Sequence, residues 1–154
     1  ISYDDSLLFM HFQHQVEKDC FNAGGGKFVA PAQRLVDFCN NRESVNLPEN
    51  SYLPGLNSFN LKNTLPGFVY KTLSKGFALF GKKMKGYFTN DAIVVATESR
   101  TSSPVKIPRN AETYAHPQLN NFYPCGEGSG YAGGIVSAAM DGENVANIIT
   151  NKYK

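Results

Sequence analysis

The sequence predicts a mixed α and β fold (α+β), in which a few helices pack against a small sheet. Residues 4–22 and 66–84 both repeat apolar side chains at the spacing of an amphipathic helix. The run Asp91–Thr97 is β-branched and apolar on both faces, which is typical of a central strand. The chain has 154 residues, which is long enough for one domain with a buried core. Its hydrophobic content of 42% is that of a packed globular protein.

Residues 1–98 form a mostly helical first block. Its first helix is followed by three glycines at positions 24–26, which end it. We expect a second helix over Pro31–Asn41, because proline fits the first turn of a helix. Residues 43–65 show little periodicity, so we expect a long, partly extended loop with one short helical turn.

Residues 99–154 form a second block with a different pattern. Two short strands are predicted at residues 103–108 and 119–125, the first confined to a sheet edge by its prolines. A glycine-rich turn and a final helix that begins near Gly134 follow. The small residues of this helix predict close packing on a sheet. Neither block is a complete architecture.

Composition excludes several classes of protein. The formal charge of +2 is too small to indicate a nucleic-acid partner by itself. Three widely spaced cysteines argue against a disulfide framework and for a reducing compartment, so we expect a cytoplasmic protein. No apolar run is long enough for a membrane span, and no signal peptide opens the chain, so we expect no membrane partner.

The glycine-rich segment, residues 123–135, is the most informative part of the chain. Its sequence is YPCGEGSGYAGGI, and Gly128–Gly133 matches the pattern G-x-G-x-x-G. A dinucleotide fingerprint also needs a second strand that ends in an acid about 20 residues later. The final helix instead runs to the end of the chain. We therefore interpret the segment as a closing strand–turn–helix that completes a site begun elsewhere.

Three other signals have a structural interpretation. Cys125 lacks a Cys-x-x-Cys partner, so we expect a small buried apolar residue rather than a redox thiol. His11 and His14 have a metal-compatible spacing but no third ligand cluster, so no metal is expected. Arg34 and Asp37 have the spacing of a helical ion pair.

Several motifs together resemble the carboxyl end of bacterial FAD-dependent dehydrogenases, members of the glutathione-reductase-like flavoprotein class. The glycine-rich segment carries the closest likeness, and Glu98–Arg109 resembles the segment that precedes it. Ala30–Arg34, with Asp37 and Phe38, resembles a signature of their middle domain.

The resemblance implies a fold and a cofactor. Residues 1–98 would be the inserted middle domain, and residues 99–154 the closing part of a flavin-binding α/β domain. The fingerprint that holds the FAD pyrophosphate belongs to the amino-terminal part of such proteins. We therefore expect this chain to be a carboxyl-terminal portion whose partner is that amino-terminal FAD-binding part.

The resemblance also implies site residues. The pair Gly126–Glu127, continued by Gly128, would contact the ribityl and phosphate region of FAD. The helix start Gly133–Ile135, which includes Gly134, would direct N–H groups at the flavin. The segment Arg100, Thr101, Ser102 and Ser103 would line the side of an unknown small-molecule substrate. No catalytic acid or base is implied.

An alternative of another class remains. Between Phe68 and Phe88 the chain has no acid, and it carries the lysines Lys71, Lys75, Lys82, Lys83 and Lys85. This basic helix would let a non-catalytic module bind a partner or nucleic acid. We interpret it instead as the solvated face of an amphipathic helix.

Overall fold

The computed structural model describes residues 5–100, 102–152 and 154, and it confirms the mixed α and β class. The helices are α1 (Leu8–Ala23), α2 (Leu35–Cys39), α3 (Gly67–Lys83) and α4 (Ile135–Lys152), with one 3₁₀ turn at Leu61–Asn63. The strands are β1 (Ala30–Arg34), β2 (Leu56–Ser58) and β3 (Ile93–Val95). The chain divides into two compact units, residues 14–97 and the rest. The domain assignment made from sequence stays a prediction.

Helix α1 begins and ends at the signals that the sequence supplies. The Asp5 carboxylate accepts a hydrogen bond from the Leu7 N–H at 2.8 Å, which caps the start. At the other end the N–H of Gly26 donates to the Phe21 carbonyl at 2.9 Å, and both Gly25 and Gly26 have positive φ (99° and 75°). Glycine adopts this left-handed conformation without a steric penalty, which is why the helix ends there.

The sheet of the 14–97 unit has the order β2-β1-β3, with β1 parallel to β2 and antiparallel to β3. The prediction of a helix from Pro31 was therefore wrong in its first half, since Ala30–Arg34 is a strand and the helix begins only at Leu35. Proline has no N–H to donate to a sheet, but its carbonyl can still accept. The Pro31 carbonyl accepts a hydrogen bond from the Ala96 N–H at 3.0 Å, so a proline is tolerated at this position.

The central position belongs to β1, so the prediction that residues 91–97 form a central strand was also wrong. Only Ile93–Val95 is extended, it pairs with β1 alone, and Val95 is exposed. The β-branched run reflects a short edge strand with one covered face. The loop predicted at 43–65 does contain a short helical turn, and it also contains β2.

Gln33, on the central strand, is fully buried and joins two distant segments. Its Nε2 donates to the Arg42 carbonyl, and its Oε1 accepts from the Leu61 N–H, both at 2.9 Å. A buried amide with both ends satisfied fixes the loops that it bonds. This glutamine therefore positions the 3₁₀ turn against the sheet.

Asp37 does not pair with Arg34 as the spacing predicted. Its carboxylate accepts hydrogen bonds from the Arg42 guanidinium and, at 2.8 Å, from the Ser44 hydroxyl. Burial alone would raise the pKa of Asp37, but these two partners outweigh burial and hold the pKa below its ordinary value. The signature of residues 30–38 thus braces the loop that follows α2.

The core of this unit is centred on Phe38, whose side chain is fully buried. Its ring meets Tyr70 and Phe77 of α3 edge to face, with centroid separations of 4.9 and 5.8 Å. The Tyr70 hydroxyl donates to the Phe38 carbonyl at 2.9 Å, so its polar end is satisfied. The opposite face of α3 is exposed and carries its lysines, as the amphipathic interpretation predicts.

The second unit has no strand among its described residues, which contradicts the strands predicted at 103–108 and 119–125. Prolines remove ladder donors from the first segment, and within this unit the described residues offer no strand to pair with. Isolated hydrogen bonds take their place, such as that from the Ile107 N–H to the Ser129 carbonyl at 3.1 Å. Among the described residues of this unit, the regular elements are α4 and the first six residues of α1, Leu8–Gln13.

Helix α4 buries little of its apolar surface at its beginning. Val145 is buried, whereas Ile135 and Val136 at its start are 91% and 71% exposed. The close packing on a sheet that its small residues predict is not found within its own unit, whose described residues include no strand. No described helix combines the length and apolar character that a bilayer crossing needs.

We expect Gln33→Leu to destabilise the protein by about 2–4 kcal/mol, because the buried Leu61 N–H and the partly buried Arg42 carbonyl would both lose their partner. Urea unfolding monitored by circular dichroism measures this. Gln15→Ala is the matched control, since Gln15 is exposed on α1; its effect should stay within about 0.5 kcal/mol. Equal effects of the two substitutions would contradict the assigned role of Gln33.

Candidate functional site

The glycine-rich segment is attached to the second turn of α4 by the carboxylate of Asp141. Its Oδ2 accepts hydrogen bonds from the Gly126 N–H at 2.8 Å and from Arg109 Nη1 at 2.9 Å. Its Oδ1 accepts from Arg109 Nη2 at 2.6 Å, so the ion pair is bidentate. One side chain therefore fixes the backbone at the start of the glycine turn.

Arg109 completes this arrangement. Nη1 also donates to the Pro124 carbonyl at 2.8 Å, two residues before Gly126. The guanidinium lies over the rings of Tyr131 and Tyr114, at 3.6 and 4.2 Å from their centroids. The arginine thus contacts the segment both before and after the turn.

The pair is nearly buried, with exposed side-chain fractions of 9% for Arg109 and 12% for Asp141. Hydrogen bonding to Arg109 lowers the pKa of Asp141 below its ordinary value; burial opposes this, and the Gly126 N–H adds to it. The pKa of Arg109 is raised, chiefly by the hydrogen bonds to Asp141. Both groups stay charged across the physiological range.

The turn itself depends on two glycines. Gly126 and Gly130 have φ of 71° and 80°, and the Tyr131 N–H returns to the Gly126 carbonyl at 3.1 Å. A Cβ on Gly130 would lie 2.7 Å from the Val105 carbonyl oxygen, so no side chain fits there. The close approach of two backbones explains this glycine without a ligand.

The candidate cofactor residues lie on the open side of the same turn. Glu127 and Gly128 are exposed, and a Cβ added to Gly126 or Gly128 would meet no atom within 4 Å. The Glu127 carbonyl accepts from the Gly130 N–H at 2.9 Å, while its carboxylate has no partner among the described residues. The turn therefore presents an acceptor group beside bare backbone.

The start of α4 supplies donors. Gly133 is exposed and Gly134 half-buried, and the Gly134 carbonyl accepts from the Ala138 N–H at 2.9 Å. By helix geometry the N–H groups of the first turn, beginning at Ile135, have no intrahelical acceptor, and they carry the positive end of the helix dipole. The structure thus unites the predicted cofactor residues in one turn and one helix start.

The predicted substrate-side residues are less closely grouped. Ser103 is half-buried, and its hydroxyl accepts from the Val105 N–H at 3.3 Å, at the beginning of the segment that lies against the turn. Arg100 and Ser102 lie further from this contact along the chain, and both are exposed. Thr101 lies outside the described residues.

Sequence reasoning missed the residues that hold the site together, namely Arg109, Tyr131 and Asp141. The sequence patterns assign no role to Asp141, and Arg109 enters only as the end of a segment that carries the resemblance. The sequence did contain a signal for this pair. Asp141 lies among small residues on a helix, where an acid needs a partner if it is buried. Arg109 is the one arginine that follows Arg100, which makes it the first candidate for that partner.

Cys125, next to Gly126, is exposed, so the prediction of a buried residue was wrong. Backbone contacts at Pro124 and Gly126 hold this segment and leave the side chain between them exposed. No described group of three or more histidine, cysteine or acidic side chains is arranged to hold a metal ion.

Residues 2–101 match the model of the family described as FAD-dependent protein, C-terminal domain-like. The chain belongs to this family. It is also 44% identical over 149 residues to an uncharacterized protein of Clostridium beijerinckii, an alignment that necessarily includes the glycine-rich segment. That alignment covers 96% of the chain and 28% of the relative, so the chain spans little more than a quarter of its length.

The family match identifies the chain as a C-terminal part of an FAD-dependent protein. It gives no support to the alternative of an interaction module that binds through the basic helix. The lysines of α3 are exposed, as on any solvated helix face.

We expect Asp141→Asn to destabilise the protein by about 3 kcal/mol at pH 7, because it leaves the Arg109 cation nearly buried and unpaired. Since the pKa of Asp141 is lower in the folded state, its contribution is present above the ordinary value of 3.8 and is lost as pH falls through the folded-state pKa. The variant should therefore lose less stability than the parent on acidification. Thermal unfolding at pH 7 and at more acidic values measures both effects.

The control is Asp91→Asn, which removes an exposed carboxylate of the other unit. It should change stability by no more than about 0.5 kcal/mol at pH 7. Parallel pH dependence in Asp141→Asn and the parent would contradict the linkage.

Proposed function

We propose that the chain is the carboxyl-terminal portion of an FAD-dependent oxidoreductase of the glutathione-reductase-like class, and that it completes the FAD site. The observation that carries the proposal is the turn Gly126–Tyr131, held to the second turn of α4 by Asp141, in a chain of the FAD-dependent family. We expect a small-molecule substrate and a cytoplasmic location.

The residues at this turn fit such a cofactor. The Glu127 carboxylate is exposed and suits the ribityl or ribose hydroxyls, since a carboxylate accepts strong hydrogen bonds. Gly126 and Gly128 leave the backbone uncovered, so a flat or phosphorylated ligand can approach closely. The free N–H groups near Ile135 suit an electron-rich oxygen.

FAD would supply the hydride chemistry when bound. The contribution of this chain is to bind and orient it. Glu127 holds hydroxyl groups, and the helix start stabilises negative charge by about 0.3–1 kcal/mol, more where water is excluded. Arg109 and Asp141 keep the turn in position and are positioning residues.

The partner that we propose is the amino-terminal FAD-binding part of the same protein. The beginning of α4 presents an apolar face to solvent, with Ile135 91%, Val136 71% and Met140 58% exposed. Exposed apolar patches of this kind mark interaction sites. The relative in Clostridium beijerinckii is long enough to contain a further domain, since the aligned region is 28% of its length.

Glu127→Ala in the complete protein should lower the affinity for FAD by about 10–100-fold, the effect of losing charged hydrogen bonds. Absorbance near 450 nm of the purified protein and titration of the apoprotein with FAD measure this. Glu112→Ala is the matched control, because Glu112 is an exposed acid of the same unit. Retention of FAD by Glu127→Ala at parental affinity would contradict the proposed role.

Val136→Asp should destabilise the complete protein by about 2–4 kcal/mol and weaken FAD retention, because docking would bury an unpaired charge. Asn144→Asp adds the same charge to an exposed polar position of α4 and should be nearly neutral. The thermal midpoint and FAD content are the readouts. If Val136→Asp behaves like the control, this face is open to solvent in the complete protein.

A further inference from the structure

An open cleft of about 590 Å³ lies in the second unit, on the side of Arg109 that faces Tyr114. Its walls are formed by Lys106, Pro108, Arg109, Ala111, Tyr114 and Tyr131. This volume lies within the range of small-molecule sites, and the mixture of aromatic walls with a few polar groups is typical of them. None of the predicted cofactor residues lines it.

The wall at Tyr114 is held in an unusual conformation. Tyr114 has a φ of 55°, which is uncommon for a residue other than glycine. Asn110 enforces it: its Oδ1 accepts from the N–H groups of Glu112 and Thr113 at 2.8 and 2.9 Å, and its carbonyl accepts from the Tyr114 N–H at 3.0 Å. The loop thereby holds the ring against the Arg109 guanidinium.

The polar groups of the cleft are few and of defined character. The Lys106 ammonium lies 4.5 Å from the centroid of the Tyr131 ring and has no carboxylate partner among the described residues. The Tyr114 hydroxyl likewise has no hydrogen-bond partner in the described part of the chain. The Tyr131 hydroxyl is already used, because it donates to the Ile107 carbonyl at 2.9 Å.

Charge limits what the cleft can bind. Arg109 is neutralised by Asp141, so Lys106 alone contributes an uncompensated positive charge. A phosphate dianion is usually held by several donors, such as an arginine fork or a helix N-terminus, and neither is available among the lining residues. A carboxylate monoanion matches a single ammonium, and the apolar and aromatic lining suits a planar body.

We propose that this cleft binds a planar monocarboxylate, an aromatic or conjugated acid, with its carboxylate on Lys106 and its planar body against Tyr114. The proposed binding of the acid depends only on the residues that line the cleft. Its interpretation as the substrate class of the oxidoreductase rests on the proposed function.

The test is calorimetric titration of the complete protein with benzoate, and with benzamide as a neutral isostere. We expect saturable binding of benzoate at millimolar concentrations or below, and binding at least about tenfold weaker in Lys106→Gln. Lys106→Arg should bind within about threefold of the parent, because the charge is retained. Lys71→Gln, which removes an exposed lysine of α3, is the control and should have no effect.

A second variant separates ring packing from charge. Tyr114→Gly suits the left-handed backbone at this position, so the loop keeps its conformation while the ring is lost. It should weaken both benzoate and benzamide, whereas Lys106→Gln should weaken benzoate alone. If the two variants weaken benzoate and benzamide in the same proportion, the assigned contacts are contradicted.

Three results would overturn the proposal: no saturable benzoate binding up to 10 mM, equal benzoate binding by the parent and Lys106→Gln, or binding of AMP in place of benzoate. The last result would indicate that the cleft binds the adenylate part of a nucleotide. Absorbance near 450 nm is recorded on the same samples. A colourless protein that binds benzoate contradicts the FAD proposal alone, and a yellow protein that does not bind it contradicts the cleft alone.

Discussion

The glycine turn depends on the carboxylate of Asp141. In a unit without strands among its described residues, a turn of this composition has no sheet to fix it, and glycine backbones are the most costly to order. Asp141 holds the Gly126 N–H directly and, through Arg109, the Pro124 carbonyl. Because the acid is on α4, the turn and the helix start are placed together. That shared anchor gives the candidate site its geometry.

In the 14–97 unit a neutral side chain also links separate segments of backbone. Gln33 on the central strand reaches two loop segments through one buried amide, and Asp37 adds a charged brace to the loop that follows α2. Such polar cross-links compensate for a sheet of only three short strands. The signature at residues 30–38 is therefore structural in this fold.

How far the sequence predicts this molecule depends on whether a signal is local. The helices at 66–84 and after Gly134 were found because their periodicity and end signals lie within the element itself. The strand at Ala30–Arg34 was missed because its pairing with β2 and β3 is decided by distant residues. The strand predicted at residues 119–125 was wrong for the same reason, because strand formation depends on a distant pairing partner. At the site, the exposed glycines and Glu127 were identified, whereas the partner of Asp141 lies 32 positions away.

The exposure of Cys125 has a practical consequence. Burial raises the pKa of both other thiols, Cys20 and Cys39, so they react slowly with alkylating reagents. Within this chain, a maleimide dye should therefore attach at the residue that adjoins Gly126. The native thiol then becomes a spectroscopic reporter beside the turn, without any engineered cysteine.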